Sequence, residues 1–130
     1  MKKLLNTALL LFAVLMTSCT APNAWELVSK DSNVRFALEN KQENGSTMLS
    51  YSVFYKDGVA MEKSLLGLVM DNCEYGKDAQ FVSASAVKDI SNVYQLKSGK
   101  KLNTTDECRE QIFTFRTKED KLFNLIVRVY

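Results

Sequence analysis

The stretch from Met48 to Met70 constrains the chain more than any other, and its first eight residues show why. Leu49, Tyr51, Val53 and Tyr55 alternate with Met48, Ser50, Ser52 and Phe54. A period of two places residues i and i+2 on one face of a strand and is incompatible with a helix. Asp57-Gly58 predicts a tight hairpin turn with positive φ angles. Val59 to Glu62 then returns beside the first strand, and Leu65 to Met70 predicts a third, mostly apolar one. This meander is the frame on which the remaining segments can be laid.

Those segments repeat the pattern. Val34, Phe36 and Leu38 alternate with Arg35, Ala37 and Glu39, as in a half-buried strand. Trp25 is the first residue expected to enter the fold, and polar Asn40 to Thr47 predicts an exposed loop. Gln80 to Val87 and the short Val93 to Leu96 predict two more strands, and Ser98 to Lys101 a turn or exposed edge. From Cys108 to Thr117, Gln111, Phe113 and Phe115 share a face. From Leu122 to Tyr130, Phe123, Leu125, Val127 and Val129 do so. Short strands separated by polar turns, with no sustained 3.6-residue period after the first residues, predict an all-β fold: an antiparallel β-sandwich over residues 25–130.

The first residues are of another kind. Met1-Lys2-Lys3 is basic, and Leu4 to Met16 is apolar apart from Asn6 and Thr7. That run is too short to span a bilayer and predicts a helical export signal. Met16-Thr17-Ser18-Cys19 resembles a bacterial lipobox, with cleavage after Ser18 and lipid attached to Cys19. Residues 1–18 are then the signal peptide and 19–24 a tether. Several acyl chains on one residue would hold the protein on a membrane, in the periplasm or at the outer membrane. Removing Lys2 and Lys3 from 17 basic residues leaves 15, equal to the 15 acidic ones. No basic stripe remains to attract nucleic acid.

Cys73 and Cys108 remain after export to an oxidising compartment. They either pair, which the chain-entropy model values at roughly 3 to 4 kcal/mol, or sit apart as separate thiols. Their spacing excludes a CxxC redox motif, and a chain without histidine offers little basis for a zinc site or a Ser-His-Asp arrangement. No glycine-rich loop has phosphate-binding spacing. The carboxylates Asp106, Glu107 and Glu110, and Glu119 with Asp120, fall at strand ends and in a charged loop. A catalytic acid needs a desolvated pocket, so these are expected to be solvated surface. Trp25 and Tyr75 could stack on a sugar ring, although aromatics in a strand-rich chain more often fill its core.

Tyr51-Ser52-Val53-Phe54-Tyr55-Lys56-Asp57-Gly58-Val59, followed by Ser64-Leu65-Leu66-Gly67-Leu68, resembles the N-terminal domain of glycoside hydrolase family 97. These are α-glucosidases and α-galactosidases of the Bacteroidetes type. Tyr94, Leu96 and Gly99-Lys100, then Glu110 with Phe113 and Phe115, fall in the order of that family's next landmarks. Phe123 to Tyr130 resembles its arginine-valine-tyrosine strand. Two positions depart from the pattern: Glu107-Cys108 stands where the family has a His-Tyr pair, and Met61 where it has a β-branched residue.

The resemblance implies the opening strands of a β-supersandwich of galactose-mutarotase type, packed in a full-length protein against a catalytic (β/α)₈ barrel. It implies an oligosaccharide substrate bound through that barrel, and calcium for the full-length enzyme. It carries no catalytic or metal residue onto this chain, which is expected to hold no cofactor and to be inactive alone. A free-standing envelope lipoprotein that binds a glycan or a protein is the alternative. The last strand is apolar to its end, an arrangement that invites aggregation. The chain is therefore expected to be part of a longer domain.

Overall fold

The computed structural model describes residues 22–97 and 103–130. The expected signal peptide, Cys19 and the expected turn at Ser98 to Lys101 lie outside them. Among the described residues, ten strands form two main sheets and a small ribbon. β1 (Ala24–Val28), β2 (Val34–Glu43), β3 (Ser46–Tyr55) and β4 (Gly58–Leu65) make an antiparallel meander in that order. β5 (Val69–Met70) and β6 (Cys73–Glu74) form the ribbon. The second sheet has β10 (Leu122–Val129) beside the long β9 (Asn103–Arg116). The far edge of β9 carries β7 (Gln80–Ala84) and then β8 (Lys88–Gln95).

The alternation in the sequence decides which faces meet. Leu38 opposes Trp25 and Tyr51, and Phe36 opposes Leu27 and Val53, so one face of the first sheet is apolar across β1 to β3. Phe113 opposes Leu125, and Phe115 opposes Phe123, on the facing side of the second sheet. Leu27, Leu38, Leu49, Phe113, Phe115 and Val127 are buried between them. This is the sandwich that the period-two pattern predicts. The second sheet lies closest to β1 and β2, through β9 and β10, and β3 reaches the shared core chiefly through Leu49.

Several boundaries differ from the sequence reading. Ala24 to Val28 is a full edge strand. Asn40 to Thr47 is not an open loop: β2 continues to Glu43, β3 starts at Ser46, and Asn44 (φ 51°) and Gly45 (φ 86°) form a two-residue turn. In the next hairpin Lys56 takes the left-handed conformation (φ 51°), and Gly58 already pairs with Tyr55. The expected strand Leu65 to Met70 is broken. Leu66 donates its N–H to the Leu49 carbonyl at 2.8 Å, and the chain then leaves the sheet before β5. The Gln80 to Val87 strand stops at Ala84. There Ser85 ties into β9, its N–H donating to the Ile112 carbonyl (2.8 Å) and its Oγ accepting from the Ile112 N–H (3.0 Å). β8 begins at Lys88 and β9 at Asn103, both earlier than the patterning suggests.

Candidate functional site

Two concavities stand out among the described residues. The larger, about 530 Å³, lies at one end of the first sheet. It is bounded by the β2–β3 turn, the end of β4 and the segment after β6. Met48, bridged to Lys77, and Leu65 line it with Glu43, Lys63, Glu74 and Lys77. Lys77 pairs with Glu74 at 3.5 Å, so the charges are mixed and partly matched. No aromatic ring lines it, and it therefore lacks a stacking platform for a sugar.

The second is an apolar trough of about 300 Å³ where the first sheet extends past β10. Phe36, Leu38, Tyr51 and Leu66 form its floor and far wall, and Leu125 to Arg128 its near wall. Phe36 and Tyr51 stack across β2 and β3 at 5.9 Å, which stiffens the floor. β10 pairs with β9 and with no other strand among the described residues. One row of its backbone groups therefore borders the trough. Ile126, 54% exposed, and Leu122 point from its outer face.

The carboxylates do not converge. Glu107 pairs with Lys30 at 3.1 Å, Asp120 with Arg116, and Glu39 with Lys41 at 2.7 Å. Glu110 corrects the expectation of a solvated side chain. It is only 12% exposed and accepts from Arg128 Nε at 2.7 Å. The register places it there, since Arg128 lies directly opposite Glu110 in the β9–β10 pair. That hydrogen bond raises the Arg128 pKa. The shifted carboxylates Asp31, Glu39 and Glu119 are all shifted downward, each chiefly by a hydrogen bond donated to it. A general acid needs the opposite shift. Among the described residues no three His, Cys, Asp or Glu side chains converge to hold a metal ion, so these residues do not fit a calcium cage.

Cys73 and Cys108 are both buried and unbridged. Of the two alternatives, the structure has separate thiols. Cys73 donates to Glu119 Oε2 at 3.1 Å, beyond the Arg116 end of β9, whereas Cys108 lies eight positions back along that strand. At about 3.3 Å per residue the two are on the order of 25 Å apart, far outside bridging distance. The Glu119 carboxylate and burial push the Cys73 thiol pKa up.

Trp25 and Tyr75, the residues expected to be able to stack on a sugar ring, are half-buried among other aromatics. Trp25 packs against Phe81 (4.7 Å), Phe113 (5.7 Å) and Phe115 (5.8 Å). Tyr75 meets Phe123 edge-on at 5.2 Å. Both rings are half-buried, with one face taken up by aromatic neighbours. The trough was not found from sequence. Its signal is the coincidence of an apolar β3 with an apolar terminal strand, which becomes a site only once the two sheets are offset.

Comparison with known proteins places these features in context. A family model described as "Glycosyl-hydrolase 97 N-terminal" matches residues 27–130. Among solved structures, a Glycoside Hydrolase Family 97 enzyme from Pseudoalteromonas sp. strain K8, as a variant in complex with panose, aligns with a TM-score of 0.63 and 18% identity. The same organism's enzyme in complex with acarbose aligns with a TM-score of 0.64 and 18% identity. Each alignment covers 80% of this chain and 15% of the solved one. The chain therefore spans about a seventh of the length of these enzymes. No curated protein matches it.

Proposed function

Because the chain belongs to glycoside hydrolase family 97, where it matches the N-terminal domain, we propose that it is part of the β-scaffold of an exported α-glycosidase. The match over residues 27–130 carries this reading. The wider protein would cleave α-linked gluco- or galacto-oligosaccharides on a (β/α)₈ barrel. The panose and acarbose in the solved relatives' complexes support substrates of that class. The acids that break the bond, and the calcium that assists, would belong to polypeptide outside these strands. The dispersed, ion-paired carboxylates described above agree with that division. Residues 1–18 would direct export, and lipid on Cys19 would anchor the protein in the periplasm or at the outer membrane.

The test has three parts. Purified Cys19–Tyr130 should release no nitrophenol from nitrophenyl α-glucoside or α-galactoside. A family 97 barrel expressed without its own N-terminal domain should gain soluble, active yield when this chain is co-expressed with it. A lipid-sized mass increment on the exported protein should vanish in Cys19→Ala. Turnover by the chain alone, or a barrel indifferent to its presence, would overturn the scaffold reading. An unlipidated Cys19 would overturn the anchor.

A further inference from the structure

We infer that the end of the sandwich at which the chain enters is a membrane-docking face, with Leu68, Val69 and Met70 seated in the headgroup layer of the bilayer that holds Cys19. The occupant is a phospholipid surface, not a second protein. This deepens the anchoring reading and rests on lipid at Cys19, not on the glycosidase reading.

The length of chain between lipid and fold sets the first constraint. The Asn23 carbonyl accepts from the Asn40 N–H at 2.8 Å, so the chain is fixed to the first sheet by that point. Four residue steps separate Cys19 from Asn23, a reach of at most about 14 Å. The headgroup layer is itself about 5 to 7 Å deep. The end of the sandwich that holds Asn23 therefore stays at the membrane surface. Asn23, Asn40, Leu49 and Leu66 lie in one row across the first sheet: Asn40 opposes Leu49, and the Leu66 N–H donates to the Leu49 carbonyl at 2.8 Å. At about 4.8 Å per strand, Leu66 is about 14 Å from Asn23. The β5–β6 ribbon follows directly.

The ribbon sets the second. Leu68, Val69 and Met70 are consecutive, large and apolar, and each is between 49% and 64% exposed. Apolar residues exposed singly are ordinary, whereas a run of them at a turn marks a contact. Asp71 (φ 50°) and Asn72 (φ 60°) close that turn. The return strand is held by the domain, Cys73 against Glu119 and Tyr75 against Phe123, which leaves the outgoing strand at the surface. The Tyr75 N–H donates to the Leu68 carbonyl at 2.9 Å, so the tip is presented on a fixed ribbon. Lys63 pairs with Glu39 and Lys77 with Glu74, both at 3.5 Å. The contact is therefore apolar and calls for no anionic lipid. Three side chains alone would bind a bilayer weakly. A short tether makes the contact intramolecular, at an effective concentration of about millimolar, where weak affinity suffices. The opposite end is set by Arg109, whose guanidinium reaches the Val28 carbonyl at 3.4 Å. Beyond it the β8–β9 arm carries Val93, opposite Thr105, away from the membrane.

The test uses the full chain, exported, purified in detergent and returned to phosphatidylcholine vesicles, with the mass of Cys19 measured first. A spin label is placed through Val69→Cys or, at the far end, Val93→Cys. Label taken up by the unsubstituted protein, whose Cys73 and Cys108 are buried, gives the background. Collisions with oxygen, which concentrates in the bilayer, are compared with collisions with a water-soluble nickel chelate. The oxygen-to-nickel ratio should be several-fold higher at position 69 than at position 93, and Met70→Glu should lower it at 69. Equal ratios at the two positions would overturn the inference. So would a label at 69 shielded from both reagents, as a protein contact would shield it. Should a cysteine variant melt lower than the parent, amide exchange replaces the label. Exchange over Leu68 to Asn72 should be slower in the vesicle-bound protein than in its unlipidated Cys19→Ala form, and unchanged exchange there would overturn the inference. A lipidated protein with a wet tip defeats the docking face alone, whereas an unlipidated Cys19 defeats the anchor and the docking face together.

Discussion

Ser29 has no exposed surface, and its hydroxyl serves two partners at once. It accepts from the Val34 N–H at 2.9 Å and donates to Asp31 Oδ1 at 2.6 Å. Asp31 also accepts from the Asn33 N–H and side-chain amide, at 3.0 and 2.5 Å. Ser29→Ala should therefore cost about 1 to 3 kcal/mol in urea unfolding, because Val34 is left with an unmet donor. The same contacts, the Ser29 hydroxyl foremost, lower the Asp31 pKa from 3.8 to about 2. A lowered carboxylate pKa contributes stability that is complete above the unfolded value and lost as pH falls through the folded one. Wild type should thus lose stability between about pH 4 and pH 2, and Asp31→Asn should flatten that part of the profile. Trp25 argues differently. Its removal to Ala should cost about 3 to 5 kcal/mol, as for a large core aromatic, and leave glycan-array binding unchanged. The sequence left both roles open for Trp25, since neighbours along the chain do not reveal that Phe81 and Phe113 close over it.

At the scale of elements, the turn chemistry was legible and partly unread. Asn44-Gly45 is among the strongest short hairpin signals, yet the polar residues around it suggested a loop. Lys41 to Gly45 are polar because the end of β2 and its turn into β3 are exposed. The β8–β9 arm was hidden for the same reason: Val93 is 76% exposed, and a ribbon wet on both faces has no alternation to display. Phe113 and Phe115 announced themselves because one face of their strand is dry. The break after Leu65 depends on a contact distant in sequence. A Cβ on Gly76 would lie 1.7 Å from the Leu66 carbonyl oxygen, so only glycine permits the two backbones to cross. Gly76 also supplies the carbonyl that accepts from the Leu49 N–H at 2.8 Å. Gly76→Ala should destabilise by at least about 2 to 3 kcal/mol through overpacking and loss of that bond, measurable as a fall in denaturation midpoint. Gly45→Ala, in open space but at φ 86°, should cost less.

For the molecule as a whole, the two-sheet architecture followed from alternation, and the offset between the sheets did not. Offset depends on which inward residues are largest, and β4 shows how little patterning says about it: Met61 faces inward opposite Val53 and is still exposed. The offset leaves β10 as an apolar edge. Ile126→Lys, on its outer face, should raise the concentration at which the purified chain aggregates without moving its melting temperature by more than a few degrees. Light scattering against concentration checks this, and equal scattering from both proteins would contradict it.

Among the described residues, β9 is flanked on both sides from Arg109 to Arg116 and on one side only from Asn103 to Cys108. It thus works as a lever with one end clamped. A load applied to the outer half, by whatever rests on it, reaches Phe113 and Phe115 through continuous backbone. Amide protection should accordingly rise in a step near Arg109, so that displacement of the arm is felt in the interior as a tilt of two phenyl rings.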